Sequence, residues 1–142
     1  MTLLLHRDLT DGILAAYYAV YGEHGYGFTE SVYARSLVVE LQLRGLDTLQ
    51  EVRTEVTYKG VPVGFYRADI VVANKVLVEV KAHASLSTAD ERQVLNYLKA
   101  TGLQVGLLLN FGPKPTFRRM ILSSRERQAA SSASSASSAS SA

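Results

Sequence analysis

A chain of 142 residues, 47% of them hydrophobic, has room for one globular domain around one core and is not a wholly disordered polypeptide. It contains no cysteine, which excludes disulfides and thiolate metal sites. The net charge of +2 permits contact with nucleic acid but lacks the strong basic stripe of a dedicated duplex binder.

The chain starts MTLLLHRDL, and its three consecutive leucines are too few for a signal-peptide core or a bilayer span. The expectation is a cytoplasmic protein with no membrane association. The first helical pattern covers Thr10 to Tyr21, with Ile13, Leu14, Tyr17, Val20 and Tyr21 at helical spacing and Thr10 as its cap. Gly22, Gly25 and Gly27 break it. A second helix is predicted from Thr29 as N-cap to near Gly45, with Val32, Tyr33, Leu37, Leu41 and Arg44 on its inner stripe. Glu30 falls in its first turn, where the helix dipole favours a carboxylate.

Three strand-like runs follow: Glu51 to Tyr58, Val63 to Val72 and Val76 to Lys81, with turns at Lys59-Gly60 and Ala73-Asn74-Lys75. Pro62 and Gly64 predict an irregular start or an edge position for the middle strand. A third helix is expected over Ala89 to Ala100, with a capping box in Thr88-Ala89-Asp90-Glu91 and Gly102 as its stop. Val105 to Phe111 is nearly all apolar, as a strand buried on both faces would be. Gly112, Pro113 and Pro115 mark a loop, and Phe117 to Leu122 a last strand. The stretch from Ala129 onward holds only Ala and Ser and has nothing large to bury. The expected organisation is a folded domain over residues 1–125 and a disordered tail over 126–142. The order α-α-β-β-β-α-β-β, with a strand-helix-strand crossover from Val76 to Phe111, implies an α/β fold with a mixed sheet flanked by helices.

Chemistry concentrates in the second hairpin. Alternation along a strand puts Glu79 and Lys81 on one face. With Ala73 to Lys75 as a three-residue loop, Asp69 stands opposite Glu79, their Cβ atoms about 5 Å apart. Ile70, Val72, Val76, Val78 and Val80 then share the other, uniformly apolar face. A two-residue loop without a bulge would turn Asp69 to the wrong face. Two such close carboxylates repel unless one takes a proton or both bind a divalent cation, and oxygen ligands of this kind suit Mg²⁺ or Mn²⁺. The metal would polarise a phosphoryl oxygen, and Lys81 could steady the attacking hydroxide or the developing negative charge.

Asp69 followed by Glu79-Val80-Lys81 resembles the D…(D/E)xK signature of the PD-(D/E)xK nuclease superfamily, with Ala68 where the signature has proline. Gly27-Phe28-Thr29-Glu30-Ser31-Val32-Tyr33 is similar to the namesake motif of the bacterial GxxExxY proteins, a group assigned to that superfamily, and Tyr66-Arg67-Ala68-Asp69 and Leu95 to Gly102 look like that group too. The resemblance covers roughly Leu9 to Leu122 and implies the superfamily core αβββαβ. It implies metal ligation by Asp69 and Glu79, with the Val80 carbonyl as a third ligand, and a catalytic role for Lys81. Glu30 matches the helix acid that completes the site in related nucleases. Gln93 and Tyr97, four apart and so on one helix face, are similar to the QxxxY element of RecB-like nucleases, which helps position metal or nucleic acid.

Taken as plain residues, Glu30 is explained by its helix turn, Tyr33 by packing, and His83, which could serve as a second base, as a loop histidine of no consequence. Arg67, Lys114, Arg118 and Arg119 could contact phosphates, but are read as solvated charges. The reading that results is a Mg²⁺- or Mn²⁺-dependent nuclease acting on nucleic acid, DNA rather than RNA. The competing readings are a catalytically weak nucleic-acid-binding protein and a self-assembling homo-oligomer on the same fold, the latter suggested by eight tyrosines in an apolar body.

Overall fold

The computed structural model describes residues 6–122, so the tail expected over 126–142 lies outside the described residues. Two helices open the fold. Helix α1 (Arg7–His24) starts three residues before Thr10, and the residue preceding it, His6, makes no side-chain cap. Thr10 is buried in the first turn, where its hydroxyl donates to the Arg7 carbonyl at 3.0 Å and receives the Arg119 guanidinium. Arg119 is therefore not a free solvated charge.

Helix α2 (Glu30–Leu43) is capped by Thr29, whose hydroxyl accepts the Val32 N–H. Its buried stripe is Tyr33, Leu37, Val38 and Leu41. Val32 is 36% exposed and Arg44 is the exposed C-cap, so both expected inner positions fall outside the stripe. One residue at 100° per step is enough to turn Val32 away from the sheet.

Strands β1 (Thr48–Tyr58), β2 (Val61–Val72), β3 (Val76–Lys81), β4 (Val105–Phe111) and β5 (Pro115–Ile121) form one sheet in that spatial order. All neighbours are antiparallel except β3 and β4. These two are joined by helix α3 (Thr88–Thr101), as parallel pairing requires a long crossover. The α3 capping box sits one residue earlier than expected: Ser87 accepts the Asp90 N–H and Asp90 accepts the Ser87 N–H. Pro115 opens β5 instead of marking a loop, because on an edge strand its missing N–H breaks no ladder bond.

The β1–β2 hairpin is longer than β3. Beyond Ile70 towards the turn, the recorded pairing of β2 is with β1 alone, so its outer half stands out as a two-stranded arm. There Pro62 is tolerated, and the register slips between Val56 and Thr57 as its neighbourhood suggested. β2 as a whole is interior, not an edge.

The sheet has two covered faces. Against one, α1 and α2 pack with Ile70, Val72, Val76, Val78, Val80, Leu107 and Leu109. Against the other, α3 packs with Val71, Leu77 and Leu108 through Val94 and Leu98. Gly106 faces α3 where a Cβ would lie 2.7 Å from Val94 Cγ1, so glycine sets how closely that helix approaches. No helix among the described residues is long and apolar enough to cross a membrane.

Candidate active site

The β2–β3 loop positions the carboxyl pair. Lys75 N–H bonds the Val72 carbonyl, and Ala73 and Asn74 both adopt positive φ, as the tight turn demands. Val72 pairs with Val76 and Ile70 with Val78, the three-residue-loop register that brings Asp69 across from Glu79. Regular pairing stops there. The Val80 N–H donates instead to Asp69 Oδ2 at 2.8 Å, and the Asp69 N–H points to Glu79 Oε1 at 3.4 Å. Each carboxylate thus fills a gap in the backbone ladder of the opposing strand.

β2 also changes face at this point. Tyr66 and Ala68 pack on the α3 side, whereas Ile70 and Val72, of the same parity, pack on the α1–α2 side. Across the hairpin, Glu51 has φ of 50°, and neither it nor Asp69 is in the ladder between the Gln50–Ile70 and Val52–Ala68 pairs. The local break in alternation lets Asp69 line a cleft of about 240 Å³ with Glu30, Arg35, Gln50 and Glu51.

Glu79 is 5% exposed. Burial and the neighbouring Asp69 charge push its carboxyl up to about 8. Asp69 is also raised, by burial, although the Val80 N–H and a hydrogen bond from Glu79 pull the other way. Glu79 therefore holds a proton near neutral pH, beside the half-buried Asp69 carboxyl. Lys81, half-buried two residues beyond Glu79, donates to Gln93 Oε1 at 3.2 Å. Gln93 in turn hydrogen-bonds the Tyr97 hydroxyl, whose pKa is raised by burial and by the Glu79 charge. The Tyr97 ring stacks on Tyr66 with centroids 3.6 Å apart. Lys81, Gln93 and Tyr97 so form one chain of contacts from β3 to α3, beside the acid pair.

Glu30 lines the same cleft as Asp69, on its α2 side. Its Oε2 accepts the Ala82 N–H at 3.3 Å and lies 3.5 Å from His83 Nε2, while His83 Nδ1 lies 3.4 Å from Asp90. His83 is thus a link between the first turns of α2 and α3, not an idle loop residue. Asn110 was missed by sequence reasoning. Buried at the end of β4, it accepts the His83 N–H at 2.9 Å and donates to the His83 carbonyl at 3.0 Å, fixing the loop that follows Lys81. Its signal was a polar side chain inside a continuous apolar run. Tyr33 is structural: its hydroxyl donates to the Gly25 carbonyl at 2.5 Å and accepts the Phe28 N–H, locking the glycine turn before α2.

No three acid or imidazole side chains among the described residues converge as a metal cage. The donor set is the Asp69–Glu79 pair. That fits a hard, strongly hydrated divalent ion, which keeps several waters and takes one or two carboxylates, and a dication would offset the burial and the Asp69 charge that together hold a proton on Glu79.

A model of the PD-(D/E)XK nuclease superfamily matches residues 7–120, and the chain belongs to that superfamily. Nucleases of this superfamily generally use divalent metals. No curated protein sequence matches. Among solved structures, SSO0001 aligns with a TM-score of 0.52 at 19% identity, over 75% of this chain and 58% of its own. An alkaline exonuclease from Laribacter hongkongensis aligns with a TM-score of 0.43 at 12% identity, over 78% of this chain and 63% of its own. The first likeness supports the mixed-sheet fold; the second is too distant to carry an argument. The chain spans less than two thirds of the length of either.

Proposed function

We propose that the protein is a divalent-metal-dependent nuclease that hydrolyses phosphodiester bonds in DNA. The observation that supports this most is the Asp69–Glu79 pair, with Glu79 buried and held protonated up to about 8, Asp69 half-buried beside it, and Lys81 two residues away. A buried carboxyl set against a second acid is costly for folding alone, and perturbed groups of this kind concentrate at functional sites.

Asp69 and Glu79 would hold Mg²⁺ or Mn²⁺, together with the Val80 carbonyl. When bound, the ion supplies Lewis-acid polarisation of a phosphoryl oxygen and acidifies a water. Lys81 places its ammonium against the negative charge that builds on the phosphoryl oxygens as water attacks phosphorus and the P–O bond to the leaving group breaks. Gln93, and Tyr97 behind it, keep Lys81 aimed at that position. Glu30 acts as a positioning residue through Ala82 and His83. Membership of the GxxExxY group, on the Gly27 to Tyr33 motif, and a cytoplasmic location are part of the same reading.

Labelled single- and double-stranded DNA, incubated with Mg²⁺, Mn²⁺ or EDTA, tests it. Wild type should cut with metal only, and Asp69→Ala and Lys81→Ala should each lose about 100-fold or more in rate. Cleavage that survives both substitutions would refute the site. A homo-oligomer is a second reading, supported by exposed Tyr58 (64%), Val61 (58%) and Val63 (61%) on the arm. A monomeric elution volume on a sizing column would count against it.

A further inference from the structure

Arg53 and Arg67 face each other across the β1–β2 arm. Tyr66 and Ala68 beside Arg67 point towards α3, so Arg67 points to the opposite side, the side of the α2 cleft. Arg53 lies on the same side, its guanidinium 3.7 Å from the centroid of the half-exposed Phe65 ring. Both arginines are exposed, and neither forms an ion pair among the described residues, although Glu51 and Glu55 stand two residues away on β1.

Like charges directly opposite on a sheet face destabilise it, and here the repulsion is left without an acid partner. An anion held between the two guanidiniums would remove it. Asp69 follows Arg67 by two residues, about 6–7 Å along the strand. Arg35 flanks the same cleft and also makes no ion pair among the described residues. Cations beside an exposed aromatic ring, next to an acid pair, match the way single strands are held: phosphates on guanidiniums and a base on a π-face.

We propose that Arg53 and Arg67 together clamp one phosphate of a nucleic-acid strand adjacent to the phosphate being cut, with Phe65 as the stacking platform beyond it. The proposal rests on the nuclease reading for its substrate, but it concerns binding and is tested separately from cleavage. The test uses the full chain carrying Lys81→Ala, with Mg²⁺ and a fluorescent single-stranded oligonucleotide followed by anisotropy across a salt series.

Added Arg53→Gln or Arg67→Gln should each weaken binding about tenfold and lower the slope of log K against log salt by about 0.7. The double variant should be little worse than either single one, since one phosphate is shared. Arg67→Lys should keep the slope, and Lys99→Gln, at the far end of α3, should change nothing. In the Lys81 protein, the arginine variants should raise KM and leave kcat. Affinity and slope unchanged in both arginine variants would overturn the clamp and leave the nuclease reading standing. Weakened binding without cleavage by the Lys81 protein would support the clamp and refute the nuclease. A parent that binds no oligonucleotide at all would overturn both. Melting curves control for folding, which exposed arginines should not affect.

Discussion

Glu79 is the residue on which the proposed chemistry turns, and its protonation has a measurable consequence for stability. Its carboxyl moves from the usual 4.5 to about 8 on folding, through burial first and the Asp69 charge second. Between those values the folded chain holds a proton that the unfolded chain has released, so stability falls as pH rises through that window. The melting temperature of the metal-free protein should therefore drop between pH 5 and pH 8, and Glu79→Gln should remove most of the drop. A wild type whose melting temperature is no more pH-dependent than that of Glu79→Gln would show that the carboxyl is not held protonated. Asp69, raised in the same direction, adds to the slope. Lys81 differs from a surface lysine in having a partner: Gln93 ties its ammonium to α3.

At the scale of elements, the site depends on how α3 is seated. Gln93 and Tyr97 reach the β3 end because Val94 and Leu98, on the same helix, pack closely over Gly106. Gly106→Ala would put a Cβ 2.7 Å from Val94 Cγ1. Overpacking of this kind costs about 1–3 kcal/mol. Denaturant melts should show that loss, and cleavage should fall more than stability alone explains, because displacing α3 moves Gln93 away from Lys81. Unchanged stability would mean that the helix tolerates the shift. The β1–β2 arm behaves differently. Tyr66 anchors its base by stacking on Tyr97 of α3, and beyond Tyr66 towards the turn β2 pairs with β1 alone and its side chains are exposed, so changes there should leave folding intact.

For the whole molecule, metal and fold should be linked. An ion that needs both carboxylates ionised binds only the folded chain and displaces the proton from Glu79. Mg²⁺ or Mn²⁺ should raise the melting temperature, by the equivalent of about 2.7 kcal/mol at a hundred times its dissociation constant. The effect should grow as pH approaches 8 and vanish in Asp69→Asn/Glu79→Gln. Equal stabilisation of that double variant would place the ion elsewhere.

Several parts of this protein were determined by its sequence alone. Element order, the mixed sheet and the hairpin register follow from local signals. Apolar spacing distinguishes helix from strand, and an apolar stripe from Ile70 to Val80 admits only one pairing in which it stays buried. The nearness of Asp69 to Glu79 comes with that register. The errors at Thr10, Ser87 and Pro115 each move a boundary by a few residues, where fraying or an edge position weakens local rules. What only the tertiary structure decided are contacts between elements distant in sequence. Asn110 holding His83, Glu30 reaching Ala82, and Gln93 meeting Lys81 depend on how α2, α3 and β4 converge at one end of the sheet. The change of face at Asp69 and Glu51 is of the same kind: no local pattern marks it, and it exists because two strands part there to admit the carboxylates.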